Sequence, residues 1–417
     1  MGLLSLAFGG CGYPAYCFHI PISMSRLPAP DVDALAHSER LRAVIQEQIF
    51  AAGGAIPFSR YMELCLYAPG LGYYSAGATK FGSDGDFVTA PELGPLFAAC
   101  VADSVAPVLR QLGPGADFLE IGGGSGAFAE VALQRLLGLD ALPTRYAILE
   151  PSADLRQRQR ARLQQHLNPL LFDLVEWLDA PLQQPWNGVL FANEVIDALP
   201  TPRFTLCGGD VFEEHVELDG DGRFLTVDRP ADALLTAAVR HVERQLDAPF
   251  ADGYRSELLP QLPYWIQAVI GEMRSGALLF IDYGHVRREF YLPQRDSGTL
   301  RAFYRHQVSS DVFAHPGLQD LTASVDFTAL VEAGSGAGFD FSGYCSQASF
   351  LIGNGLEHHL AEAEAKTHDE AGRYRLRQQA KRLTLPDDMG ERFQAMGFAR
   401  DVEFGAAFLT GDLSWRL

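Results

Sequence analysis

The feature that most constrains this chain is a run of glycines set directly after an apolar stretch: Phe118-Leu119-Glu120-Ile121-Gly122-Gly123-Gly124-Ser125-Gly126-Ala127-Phe128. Glycine is needed where the backbone turns sharply or where a ligand must touch the main chain. Free N–H groups at the start of the following helix can hold a ligand's polar groups. A tight strand-to-helix turn without a ligand would explain the glycines taken alone. The surrounding rhythm asks for more. Residues 117–121 read as a strand, 126–137 as an amphipathic helix, 146–149 as a strand ending in Glu150, and 153–167 as a basic, polar-faced helix. Further strands are predicted over 171–175, 189–192 and 277–281. Such alternation predicts an α/β fold with a parallel sheet covered by helices.

The residues flanking the glycines choose between two ligands. A dinucleotide site uses GxGxxG or GxGxxA, and Gly122, Gly124 and Ala127 meet the second form. A site for S-adenosylmethionine (SAM) prefers an acid two residues before the first glycine, to accept a hydrogen bond from an ammonium. Glu120 supplies that acid and would repel a pyrophosphate. Glu150 suits ribose hydroxyls in either case and does not discriminate. The cofactor candidates here are Glu120, Gly122, Gly124, Gly126 and Glu150.

A second cluster follows the fourth strand: Asn193-Glu194-Val195-Ile196-Asp197-Ala198-Leu199-Pro200. In open α/β sheets, ligands bind beyond the carboxyl ends of the strands. Asn193, Glu194 and Asp197 would therefore face the reacting end of the cofactor. Methyl transfer from a sulfonium is an in-line displacement, in which positioning supplies much of the catalysis. A guanidinium acceptor, with a pKa above ~12, needs carboxylates to hold it and accept its proton. Glu194 and Asp197 are the catalytic candidates, with capping of a following helix as their competing role.

Charge narrows the partners. Fifty-two Asp plus Glu against 33 Lys plus Arg give a formal net charge of −19. An acidic surface repels phosphate-coated partners, which argues against nucleic acid. It favours a cationic partner such as a peptide bearing Arg or Lys, with solubility alone as the competing explanation. No apolar run approaches the ~20 residues that span a bilayer. The six cysteines are scattered without a CxxC pair, and neither HxxxH nor HExxH occurs. No metal site is expected, and the thiols suit a cytoplasmic location.

Residues 1–36 read as a disordered extension or a stretch ahead of the true start, with Met24 as the alternative first residue. Residues 37–112 read as a helical and loop segment packing on the cofactor site. It contains a helix over 39–50, another near 58 with Ser59 as N-cap, and a Gly-, Pro- and Asp-rich loop over 82–95. Residues 113–285 form a Rossmann-like core, interrupted near 203–228 by three β-like runs whose Gly-Gly-Asp and Asp-Gly-Asp-Gly connections signal antiparallel hairpins. Residues 286–417 read as a substrate-side lobe with closing strands, a loop over 334–338 and one charged helix from 356 to about 382.

With the cluster from Asn193 to Pro200 in view, the chain resembles the MidA-like family of class I SAM-dependent methyltransferases. That family includes the mitochondrial complex I assembly factor that is a protein arginine methyltransferase. Other stretches match it: Tyr67-Ala68-Pro69-Gly70-Leu71-Gly72-Tyr73-Tyr74, Gly85-Asp86-Phe87-Val88-Thr89-Ala90-Pro91-Glu92 and Ile281-Asp282-Tyr283-Gly284-His285. Two more are Gly317-Leu318-Gln319-Asp320-Leu321-Thr322-Ala323-Ser324-Val325-Asp326-Phe327 and Met389-Gly390-Glu391-Arg392-Phe393. The resemblance implies a mostly parallel seven-stranded sheet with helices on both faces, SAM at the glycine loop and a substrate region built from insertions. It further implies Asp86 against the cofactor, Trp177 near the adenine (a core aromatic being its other role), and His306, Asp320 and Asp326 on the acceptor side. Gly123 and Ser125 depart from the family, where Pro and a larger residue are commoner. The activity so implied is SAM-dependent methylation of a protein arginine, with a respiratory-complex subunit as the substrate; a homodimer is compatible with it. Two alternatives stand beside it: a NAD-dependent oxidoreductase, resting on the GxGxxA match, and a non-catalytic assembly chaperone.

Overall fold

Eight strands, one more than expected, form the sheet that positions everything else. Seven lie in one continuous order: β1 (Asp117–Ile121), β2 (Arg145–Leu149), β3 (Val175–Leu178), β4 (Trp186–Asn193), β5 (Met273–His285), β6 (Asp340–Ser346) and β7 (Phe393–Arg400). The short strand Val325–Asp326 pairs parallel with the end of β5. The computed structural model describes residues 27–76 and 89–417. The strands lie in the order β3-β2-β1-β4-β5-β7-β6. Those from β3 to β5 run parallel, and β7 is antiparallel to both β5 and β6. Inner strands are apolar along their length because both faces are covered. Successive residues serve opposite cores, as the two-residue period requires. Phe118, Val189, Phe191 and Leu279 join one cluster, while Leu119, Leu190, Leu278 and Phe280 join the other.

Five helices of the first half matter to the site: α1 (Val32–Ala51), α2 (Phe58–Tyr67), α3 (Pro95–Leu112), α4 (Ala127–Gly138) and α5 (Ala153–His166). The inner faces of α3 and α4 pack on the Phe118 side of the sheet, where Phe128 stacks on Phe191 with ring centroids 4.3 Å apart. Helices Leu262–Ile270 and Phe327–Gly336 cover the opposite face. Burying one such phenylalanine contributes roughly 1.5–3 kcal/mol.

The predicted hairpin insertion is present as strands Arg203–Cys207, Asp210–Leu218 and Phe224–Pro230, paired antiparallel. Ala55–Pro57 adds to its edge, so the segment leading into α2 is tied to the insertion. A further three-stranded sheet, Arg301–Tyr304, Gln307–Ser309 and Asp320–Thr322, lies in the C-terminal part. No described helix is long and apolar enough to cross a membrane.

Several boundaries differ from those predicted, each for a local reason. Helix α1 begins at Val32, inside the expected 1–36 extension, because the Asp31 side chain caps it by accepting from the Ala34 N–H at 2.8 Å. Ser59 caps nothing: α2 starts one residue earlier, directly after Pro57. The strand expected over 171–175 is displaced to β3. Asn168 and Pro169 start a helical turn there instead, with the Asn168 side chain accepting from Leu171 N at 3.0 Å. Residues 334–336 end a helix rather than form a loop. The charged helix is two helices, Leu356–Lys366 and Glu370–Thr384, because Asp369 caps the second. Met24 and Asp86 lie outside the described residues.

Candidate active site

Strand order reverses between β1 and β4, whose carboxyl ends lie side by side with Ile121 opposite Ala192. Ligands bind at such switch points. A cavity of about 1180 Å³ opens there, walled in part by Glu120, the glycine loop, Glu150, Asn193, Glu194 and Asp197.

Gly122, Gly124 and Gly126 have φ of +69°, +52° and +82°, a region costly for residues with a side chain. A Cβ on Gly122 would also stand 3.2 Å from a Val195 methyl. Gln159 of α5 buttresses the loop: its amide nitrogen donates to the Gly124 carbonyl at 2.9 Å and to Glu150 at 3.2 Å. Its oxygen accepts from the Trp177 indole N–H at 2.9 Å. Trp177 does not line the cavity, and the Arg160 guanidinium lies 4.3 Å from the centre of its ring. It packs against the core on the Phe118 side of the sheet, the other role weighed for it. The Ser125 hydroxyl donates to Glu92, joining the loop to the turn Ala90–Leu93.

The Glu120 carboxylate is buried and accepts from the Tyr146 hydroxyl at 2.7 Å. Burial pushes its pKa up to about 7; the Tyr146 bond opposes this and the Glu150 charge adds to it. Glu150 accepts from the Ser152 N–H at 3.0 Å.

The second wall is built on the ends of β4 and β5. Glu194 sits in the left-handed region at φ +53°, and its N–H donates to the Ile281 carbonyl at 2.9 Å. The Asn193 amide donates to its carboxylate at 3.0 Å. Burial raises Glu194 to about 8, helped by the charge of Asp197 and opposed by the Asn193 amide and the Ala90 N–H. Burial likewise raises Asp197 to about 7, opposed by the neighbouring Tyr283 hydroxyl. No helix follows Asp197, so capping is not its role. The turn is held by Asp282, one residue along β5, which accepts from Ile196 N at 3.0 Å and Asp197 N at 3.3 Å. Burial, then the charges of Asp197 and Glu194, hold Asp282 well above the usual carboxylate range.

Of the acceptor-side residues the resemblance implied, Asp320 lines the cavity, buried, and accepts from the Tyr74 hydroxyl at 3.0 Å. The other two do not line the cavity. His306 forms the exposed tip of a hairpin with Arg305, both at positive φ as a tight turn demands. Asp326 caps helix Phe327–Gly336, accepting from Thr328 N at 3.0 Å, and pairs with Arg287 at 3.0 Å. Sequence reasoning missed Asp282, Tyr283, Tyr67, Tyr74 and Gln159. The first four lie in stretches that matched the family, but nothing in their spacing says that they meet.

Four buried polar atoms on this wall make no hydrogen bond of good geometry among the described residues: Asn193 Oδ1, Asp197 Oδ1, the Tyr283 hydroxyl and Thr322 Oγ1, although the Tyr283 hydroxyl lies beside both Asp197 and Thr322. Leaving such an atom unpaired costs about 1–3 kcal/mol. Unfilled acceptors among buried carboxylates fit a donor-rich cationic ligand and disfavour a pyrophosphate. At the glycine-loop end, Glu120 and Glu150 with the open backbone at Gly124 fit a ligand carrying an ammonium and ribose hydroxyls.

Comparison with known proteins agrees. Residues 100–345 match the family described as "Putative S-adenosyl-L-methionine-dependent methyltransferase". A Burkholderia thailandensis protein crystallised with S-adenosyl-homocysteine is 42% identical, with a TM-score of 0.86 over 94% of this chain and 100% of that one. The Danio rerio protein arginine methyltransferase NDUFAF7, mitochondrial, is 28% identical over 380 residues, 82% of this chain and 83% of its own. Its Homo sapiens counterpart is 26% identical over 372 residues, 82% and 79% respectively. The Danio rerio and Homo sapiens relatives are named mitochondrial proteins, which overturns the expected cytoplasmic location. Scattered cysteines argue against a disulfide framework but do not tell one reducing compartment from another.

Proposed function

This chain belongs to the family of S-adenosyl-L-methionine-dependent methyltransferases, and from that premise we propose that the group it methylates is the guanidinium of a protein arginine. The observation that carries the reading is the meeting of three carboxylates, half-buried Glu194 with buried Asp197 and Asp282, where Asp197 Oδ1 makes no hydrogen bond among the described residues. The names of the curated relatives support the same acceptor. A respiratory-complex subunit, carried over from the family resemblance, is the substrate protein we place first.

Bound SAM supplies an electrophilic methyl group on a sulfonium. Glu120, Glu150 and the backbone of Gly122 to Gly126 would hold it, with Asn193 where the two ligands meet. Glu194 and Asp197 hold the guanidinium and take the proton that its nitrogen sheds on gaining the methyl. A guanidinium entering this site pulls the raised carboxylate pKa values down, so acceptor binding and carboxylate ionisation reinforce one another.

The test is to incubate the purified protein and radiolabelled SAM with mitochondrial extract, hydrolyse the labelled protein and identify the residue. Methylarginine is expected. Label confined to lysine, to a carboxylate or to small molecules sinks the reading. A chaperone role without catalysis would survive Glu194→Gln unchanged.

A further inference from the structure

Beside the carboxylate turn, the cavity wall carries groups that the methyl transfer itself leaves unused. Tyr67, ending α2, and Tyr74, in the turn beyond it, stack with ring centroids 5.6 Å apart and planes 21° from parallel. Their hydroxyls anchor on different elements: Tyr67 donates to the Ala198 carbonyl at 2.8 Å, Tyr74 to Asp320 at 3.0 Å. Phe303 pairs directly opposite Asp320 in an antiparallel ladder and lines the same cavity. Directly opposed residues put their side chains on one face. The Ala323 N–H donates to the Asp197 carbonyl at 2.9 Å, which pins Asp197 against this strand. Nearby, the Tyr283 hydroxyl and Thr322 Oγ1 are buried beside one another, neither in a hydrogen bond of good geometry among the described residues.

Aromatic faces attract cations through their quadrupole. Two carboxylates close by would repel an anionic ligand. Several acceptors spread over one wall suit the planar five-donor fork of a guanidinium better than the point charge of an ammonium.

We infer that Tyr67, Tyr74, Phe303 and Asp320, with the Tyr283 and Thr322 hydroxyls beneath them, form a subsite for a planar monocation that selects an arginine side chain over lysine. The inference rests on the arginine reading above, and it concerns specificity rather than chemistry. Asp320 and the rings bind and orient the cation; proton removal stays with Glu194 and Asp197.

The full-length protein saturated with S-adenosyl-homocysteine is titrated with methylguanidinium and, separately, methylammonium, following thermal stabilisation. Methylguanidinium is expected to bind at least tenfold more tightly. Asp320→Asn should weaken it by about 10- to 100-fold, the range for hydrogen bonds to charged groups, and Tyr67→Leu by about 2- to 30-fold, the range for a cation against an aromatic face. S-adenosyl-homocysteine affinity should stay within twofold. Tyr74→Phe keeps the ring and frees Asp320 of its anchor, so it should give a smaller loss, and it serves if a harsher variant fails to fold. Equal binding of the two cations, binding of neither, or variants that bind like the wild type would overturn the subsite. The residue labelled in the extract tests the arginine reading separately: methylarginine there together with no effect of Asp320→Asn here refutes the subsite alone.

Discussion

The two ends of the cavity are built on opposite principles. At the glycine-loop end both buried carboxylates have their donors: Glu120 has the Tyr146 hydroxyl, and Glu150 has the Ser152 N–H and the Gln159 amide. At the other end Asn193 Oδ1, Asp197 Oδ1, the Tyr283 hydroxyl and Thr322 Oγ1 make no hydrogen bond of good geometry among the described residues; burial raises Glu194 to about 8 and Asp197 to about 7 there, as it raises Glu120 to about 7 at the first end. The first end is complete before a ligand arrives, because strand ends, helix starts and glycines set it. The second holds an electrostatic cost that a cation relieves, so folding stability is exchanged there for selectivity.

The largest effect expected from this division is that of Glu194→Gln. Initial methyl-transfer rates should fall by about 10²- to 10⁴-fold, the usual contribution of a positioned acid–base group. Calorimetric SAM affinity should stay within a few-fold; a matching loss of affinity would show that the two ends are not separable. Next comes Gly122→Val, which forces a side chain onto positive φ and against Val195. The roughly 2.7 kcal/mol of stabilisation expected at 100 times the Kd of SAM should vanish from melting curves. A variant that SAM still stabilises would return the loop to a mere turn. Asp282→Asn should then cost a more modest ~10- to 100-fold in rate, in line with lost hydrogen bonds to a charged group, while SAM stabilisation persists.

A smaller effect concerns pH. Glu194 in the folded protein is raised to about 8, against an unfolded value near 4.3. Below the unfolded value its protonated form costs nothing. As pH climbs towards 8 the folded state must either keep the proton or bury a charge, and stability is lost. Glu194→Gln carries no such loss, so its urea midpoint should gain on the wild type between pH 5 and pH 8. A constant gap would mean that Glu194 is ionised and paired at all these pH values. The smallest effect is assigned to His306→Ala, which should leave the rate within twofold because the residue sits on an exposed hairpin tip.

Local chemistry made much of the cofactor end legible. An apolar strand, glycines that alone tolerate the required φ, and a following amphipathic helix lie within a dozen residues, so Glu120 and Gly122 to Gly126 could be read directly. The hairpin insertion was legible for the same reason, since its turns are encoded by Gly and Asp. Where prediction failed locally, a neighbour had been overlooked: Asn168 and Pro169 start a helical turn and displace β3.

The acceptor end was not legible in that way. Asp320 and Asp326 stand six residues apart in one motif, yet one lines the cavity and the other caps a helix beside Arg287. Asp282 comes under the Glu194 turn because β4 and β5 pair with Ile281 opposite Asn193, a register set by burial on both sheet faces. Tyr67 and Tyr74 reach Ala198 and Asp320 across long stretches of chain. The sequence by itself determined where the backbone turns and which faces are apolar, since those follow from φ preferences and periodicity over a few residues. The tertiary structure decided which polar groups meet and which stay unpaired, because that depends on long-range strand register and on how far water is excluded.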